Sequence, residues 1–255
     1  MVGMGRRDAD FDPIAHKFEQ DIYGSSKGRV RLEVLWRDLQ AEVLALTRGG
    51  LRVLDAGGGA GHLAVLMAEA GNSVLLCDPS SEMLALAQDE AERRGLAERI
   101  TTFRCAIQDL ASVTEEKFDL VTCHAVLEWL ADPREAVTVL APFVKPGGRL
   151  SLMFYNRNAA VFKRLLRGDF GAGDASPEDA PVPLDEAAVT GWLEEAGLRV
   201  VSRSGIRILH DHLRAEVNED NIGALIEAEW RLRKREPFAS LAQHIHLVCA
   251  RVMPA

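Results

Sequence analysis

The sequence predicts an α/β domain built on a mostly parallel, seven-stranded sheet with helices on both faces. Three observations carry this. Short apolar runs alternate with helical stretches that close on glycine, at Gly71, Gly95 and Gly197, the pattern of strands buried on both faces. A glycine cluster at 57–61 follows the first apolar run and leads into a helical stretch. With 255 residues, 47% apolar and 27% charged, the chain is long enough to bury one large core.

Residues 1–50 read as a helical lead-in: Val30, Val34, Leu35, Leu39, Val43 and Leu44 keep helical spacing and stop at Gly49-Gly50. Residues 51–155 read as the sheet core. Its strands are Leu51–Ala56, Ser73–Cys77, Ile100–Cys105, Phe118–Cys123 and Arg149–Tyr155, and its helices Gly61–Ala70, Ser80–Arg94 and Asp132–Val144. A turn is expected at Lys145-Pro146-Gly147-Gly148. Residues 156–184, with Gly168, Gly171, Gly173, Pro177, Pro181 and Pro183, read as a flexible loop or lid. In 185–255 the expectation is a helix at Asp185–Ala196, a strand at Arg199–Ile208 and a largely helical insertion at Asp211–Arg235. A final strand, His244–Val252, is expected antiparallel at the sheet edge. The whole reads as a single domain, 1–255.

Lys and Arg total 30 against 38 Asp and Glu, a net charge of −8, which argues against a general nucleic-acid binder. No apolar run approaches the roughly 20 residues of a membrane helix. The polar N-terminus with Arg6 and Arg7 is no signal peptide, so a cytoplasmic chain is expected. Cys77, Cys105, Cys123 and Cys249 lack metal-like spacing; they read as reduced, and no metal is expected.

The strongest local signal is Leu54-Asp55-Ala56-Gly57-Gly58-Gly59-Ala60-Gly61. Glycines there let a ligand approach the backbone at a helix N-terminus. A dinucleotide fingerprint requires G-x-G-x-x-G; here the order is D-x-G-x-G-x-G. Asp78 ends the second strand, where a carboxylate accepts hydrogen bonds from ribose hydroxyls. Gln108-Asp109 follows the third strand and His124 the fourth. This order resembles the class I S-adenosylmethionine-dependent methyltransferases, a Rossmann-like fold, in which the glycine loop cradles the amino-acid part of the cofactor.

Stretches outside that core narrow the resemblance. They include Phe11-Asp12-Pro13-Ile14-Ala15, Ile22-Tyr23-Gly24, Leu35-Trp36-Arg37-Asp38-Leu39, His124-Ala125-Val126-Leu127-Glu128-Trp129, Leu152-Met153-Phe154-Tyr155-Asn156 and Gly205-Ile206-Arg207. Together they are similar to the bacterial tRNA 5-carboxymethoxyuridine methyltransferases, over nearly the whole chain. The resemblance implies S-adenosylmethionine as cofactor and, as partner, a tRNA bearing 5-carboxymethoxyuridine at the wobble position, whose carboxylate becomes a methyl ester. It implies cofactor contacts from Arg31, Gly57, Gly58, Asp78, Ile107, Gln108 and His124. Tyr155, Arg207 and His210 are the candidates for holding substrate. A carboxylate is already ionised at pH 7, so no general acid or base is expected, and alignment is the main demand.

Basic residues gather at Arg199, Arg203, Arg207 and Arg214 and at Arg231, Arg233, Lys234 and Arg235, whereas 169–186 is acidic, with Asp169, Asp174, Glu178, Asp179, Asp185 and Glu186. That acidity weighs against the loop as a tRNA contact. Three alternatives stay open: a methyltransferase of the same fold acting on a small metabolite, a non-enzymatic binding module, and a nicotinamide oxidoreductase.

Overall fold

The computed structural model describes residues 7–9, 11–19, 24–171 and 180–252. Of the residues singled out above, Arg6, Ile22, Tyr23, Gly173, Asp174, Pro177, Glu178 and Asp179 lie outside the described set.

Strands β1 (Arg52–Ala56), β2 (Ser73–Asp78), β3 (Ile100–Arg104), β4 (Phe118–His124), β5 (Val144–Tyr155), β6 (Leu198–Ile206) and β7 (His244–Arg251) form one sheet. Its order is β3-β2-β1-β4-β5-β7-β6. The first five strands are parallel, and β7 pairs antiparallel with both β5 and β6. Crossovers follow in order: α3 (His62–Glu69), α4 (Ser81–Arg93), the short α5 (Leu110–Val113), α6 (Pro133–Leu140), α7 (Arg157–Leu166), α8 (Glu186–Glu195) and α9 (Ile222–Leu232). Ahead of them lie α1 (Ala15–Phe18) and α2 (Ser26–Glu42), the latter capped by the Ser25 hydroxyl accepting from the Gly28 N–H.

Alternation along β1 explains the two cores. Val53 faces one side with Leu39, Met67, Leu76 and Val248, while Leu54 faces the other with Val121, Leu140, Leu152 and Leu247. Period-two geometry in strands covered on both faces requires this continuous apolarity.

Four expectations change. β7 is antiparallel as expected, but it is not at the edge: it is inserted between β5 and β6. Six of its eight residues are buried, so it needs a neighbour on each side, whereas β6 is half exposed along its length and suits the edge. The 156–184 stretch begins as α7, capped by the Asn156 side chain accepting from the Asn158 N–H; glycine and proline composition masked that helix. The Asp211–Arg235 helix begins only at Ile222. Before it, the Asn221 side chain accepts from the Asn218 N–H and the Asn218 side chain from the Asp220 N–H, local bonds that compete with a helix. The Asp132–Val144 helix ends at Leu140 and tightens into a 3-10 turn holding Pro142, and β5 runs through Lys145–Gly148 with a register shift opposite Phe118 and Leu120.

Candidate active site

A cavity of about 500 Å³ opens beyond the C-terminal ends of β1, β2 and β4, where α/β sheets bind ligands. Arg31, Gly57, Gly58, Asp78, Ile107, Gln108, His124, Tyr155 and Arg207 all line it. His210 does not. Its Nε2 bonds the Ser26 hydroxyl at 2.9 Å, its Nδ1 lies 3.3 Å from Asp211, and its backbone N–H donates to Glu229. It stands behind Arg207 rather than in the cavity.

Steric necessity explains the glycine loop. A Cβ on Gly57, at φ +72°, would lie 2.5 Å from Val126, and one on Gly58 2.7 Å from Leu76 and 2.8 Å from Asp55 Oδ2. Both backbone N–H groups donate to the Cys77 carbonyl, which clamps β1 to the end of β2. One residue on, the Gly59 N–H donates to Asp78 Oδ2 at 2.9 Å while the Ser80 N–H donates to Oδ1 at 3.0 Å. Each Asp78 oxygen keeps a lone pair for a ligand hydroxyl. Burial raises the Asp78 carboxyl above its ordinary range, and those two N–H donors oppose the rise. Asp55 sits beneath the loop, accepting from Thr122 at 2.6 Å. Burial pushes it up to about 6.

The lead-in covers one side. Asp8, Ala9 and Phe11 line the cavity. Asp8 accepts from Gln108 Nε2 at 3.0 Å and from the Ala131 N–H. Phe11 meets Trp129 edge-on with centroids 5.1 Å apart, and Asp12 accepts from the Ser80 hydroxyl at 2.6 Å.

On the opposite side the cavity is cationic. Arg31 and Arg207 are 7% and 8% exposed. Arg207 Nη2 donates to Asp211 at 2.9 Å, while its Nε has no hydrogen-bond partner. Desolvation pulls its pKa down and Asp211 pulls it back up. Ala125 at φ +57° and Arg207 at φ +62° are the two non-glycine residues with positive φ among those described; both line the cavity, where strained backbone concentrates. Burial holds His124 and His244 well below the usual histidine range, His124 through His246 and Arg31 as well, His244 through Arg207 and Arg31. Both are therefore neutral. Glu128, 3% exposed, is pushed by burial up to about 7, with a Tyr155 backbone hydrogen bond and Arg31 acting against the rise.

Asp55, Glu128, His244 and the lead-in residues Asp8 and Phe11 were not among the expected site residues. Asp55 and Glu128 stand inside the quoted motifs, and only burial distinguishes them from ordinary strand-end acids. Among the described residues no group of His, Cys, Asp or Glu is arranged to hold a metal, and no helix is long and apolar enough to cross a membrane.

Comparison with known proteins gives the same picture. A family profile described as a methyltransferase domain matches residues 54–152. The chain is 41% identical over 252 residues to the tRNA 5-carboxymethoxyuridine methyltransferase of Escherichia coli K12, covering 94% of this chain and 95% of that one. It is 29% identical to the ubiquinone biosynthesis O-methyltransferase of Coxiella burnetii, over 63% of this chain and 69% of the relative. Among solved structures, the magnesium protoporphyrin IX methyltransferase of Synechocystis PCC 6803 with bound SAH superposes with a TM-score of 0.66 at 19% identity, covering 94% and 96% of the two chains. That likeness is one of fold.

Proposed function

The chain belongs to the tRNA 5-carboxymethoxyuridine methyltransferase family, and from that premise we propose that it esterifies the carboxylate of 5-carboxymethoxyuridine in the tRNA wobble position. The fold is the Rossmann-like one of class I methyltransferases, and the cofactor is S-adenosylmethionine. The observation that carries the substrate reading is Arg207: a buried guanidinium on strained backbone in the cavity lining, held on one edge by Asp211, with its Nε unpartnered. Such a group is built to receive an anion.

The cavity fits the cofactor. Gly57 and Gly58 leave room that a Cβ would fill, Asp78 retains lone pairs for ribose hydroxyls, and Ile107 and Gln108 border the adenine side. Arg31 would pair with the methionine carboxylate and His124 would face the methionine amine. When bound, the cofactor supplies a methyl group on a sulfonium, a good and neutral leaving group. Arg207 would hold the substrate carboxylate against Tyr155, whose ring can stack on the uracil. With both held there, a carboxylate oxygen would form the new bond to the methyl carbon as the carbon–sulfur bond broke, its electron pair staying on sulfur. Anion and cation become ester and thioether with no proton moved, so no side chain need act as a base.

A small-metabolite substrate has support from the sheet core, through the Coxiella relative, but that match leaves out a third of the chain. Mass spectrometry of the wobble nucleoside, before and after incubation of modified tRNA with enzyme and donor, decides between them. A mass gain of one methylene on the free acid is expected. An unchanged nucleoside, with methyl transfer to a metabolite extract, would overturn the proposal.

A further inference from the structure

The described lead-in residues between Asp8 and Glu19 run past the ends of four strands and hold on at each. After β4, the Ala9 N–H donates to the Trp129 carbonyl at 3.1 Å and the Ala131 N–H donates to Asp8 Oδ1 at 2.6 Å. After β3, Gln108 Nε2 donates to Asp8 Oδ2 at 3.0 Å. After β2, Asp12 Oδ1 accepts from the Ser80 hydroxyl at 2.6 Å and from the Glu82 N–H at 3.2 Å. After β1, Ala15 packs with Ala60 and Met83, and Glu19 lies 2.9 Å from His62 Nε2.

This strap is one wall of the cavity, since Asp8, Ala9 and Phe11 line it together with Gly57, Asp78 and Ile107. Its hold is mostly polar. Ala15 is a buried apolar anchor at 1% exposed, while Ile14 is 45% exposed. The wall at Arg207 is held from within the fold: the Gln243 N–H donates to the Arg207 carbonyl, and the fully buried Glu229 accepts from the Ile208 and Leu209 N–H groups. A segment with few buried apolar contacts opens locally at lower cost than the sheet beneath it, so of these two walls the strap is the one that can swing.

Ser80 joins the strap to the cofactor side. Its hydroxyl hydrogen goes to Asp12, whose carboxyl that bond holds below the ordinary range. Its oxygen accepts from the Met83 N–H and caps α4. Its own backbone N–H donates to Asp78 Oδ1. One residue therefore touches both the latch and the carboxylate placed for the ribose.

We infer that the lead-in is the gate of the cofactor site, latched by Asp12 on Ser80 and by Asp8 on the Ala131 N–H and Gln108, and that the cofactor enters and its demethylated product leaves when this strap lifts. The inference rests on the cofactor lying in this cavity with its ribose at Asp78, not on the identity of the methyl acceptor.

Stopped-flow fluorescence of S-adenosylhomocysteine binding, read through Trp129 in the cavity wall, gives both rates without tRNA. Asp12→Ala should raise association and dissociation together by about tenfold, the effect of losing one hydrogen bond to a charged group. The Kd should move by less than about threefold, because free and bound protein lose the same latch. Asp8→Ala, which frees the other end, should give the same pattern, and hydrogen exchange at the Ala9 N–H should quicken in both variants. A site merely damaged by the substitution would release ligand faster with no gain in association. That result, unchanged rates, or unchanged exchange at Ala9 overturns the inference. Binding of S-adenosylhomocysteine by the wild type tests the cavity's ligand, and nucleoside mass spectrometry tests the substrate reading, each apart from the gate.

Discussion

Glu128→Gln should make the ligand-free protein more stable in alkaline solution and a poorer binder of cofactor. The residue sits in the 3-10 turn after β4, 3% exposed, on the cavity wall. Its carboxyl is raised by burial from 4.5 to about 7. For an acid whose folded pKa is raised, the fold holds the proton more tightly than the unfolded chain. Stability therefore falls as pH rises from 4.5 to 7 and is lower by the full amount above that. The shift corresponds to about 3 kcal/mol at pH 8, an upper value for one fully buried group. Glutamine keeps an acceptor for the Tyr155 backbone and carries no charge to desolvate. In a chain of this size about 3 kcal/mol corresponds to about 6–12 °C in Tm. Urea and thermal unfolding of the ligand-free pair at pH 8 and pH 5 should show most of that gap at pH 8 and little at pH 5. S-adenosylmethionine, which carries one more positive charge than its demethylated product, should lose more affinity for the variant than the product does. Equal stability at pH 8, or a gap independent of pH, would refute the reasoning.

Arg207→Ala should lower kcat/KM on modified tRNA by about 2–5 kcal/mol in activation free energy, while binding of S-adenosylhomocysteine stays within about twofold; calorimetry and nucleoside turnover check the two halves. Gly58→Ala drives a Cβ to 2.7 Å from Leu76 and 2.8 Å from Asp55, so about 1–3 kcal/mol of stability and most cofactor affinity should go together, as read by unfolding and titration. Asp38, lowered to about 2 from 3.8, has a depressed folded pKa. Its contribution of about 2 kcal/mol is present above pH 3.8 and lost as pH falls toward 2. Acid unfolding followed by circular dichroism should show the difference between wild type and Asp38→Asn shrinking over that interval.

That one cavity would gather Gly57, Gly58, Asp78 and His124 was legible because they are tied to strand ends. A glycine cluster after β1, an acid after β2 and a histidine after β4 announce themselves by position, whatever the loops do. The polar chain behind His124, through Ser151 and His246 to Asp38, was not legible. Asp38, Ser151 and His246 stand far apart in sequence, Asp38 reads as one more charge on a polar helix and the other two as polar residues within strands, and only the packing of α2 on the sheet and the strand order make them neighbours. His210 erred the other way: a histidine near Arg207 in sequence looks like a site residue, yet Ser26 and Asp211 occupy both of its ring nitrogens. α7 was hidden by composition, since ten helical residues precede a glycine-rich stretch that dominates any window containing both.

The insertion of β7 between β5 and β6 bears on how the protein is made. A ribosome delivers β1 to β5 and then β6 before it delivers β7, so β6 has no sheet partner while it waits. His244 and His246 arrive with β7, and until they do Asp38 has Arg233 but not His246, and Ser151 has His124 but not His246. The cavity, which His244 helps to line, therefore cannot mature during elongation of its own glycine loop. A nascent chain halted before residue 244 should expose the open edge of β5 and recruit holdase chaperones, and release of the remaining residues should close the sheet and the pocket in one step.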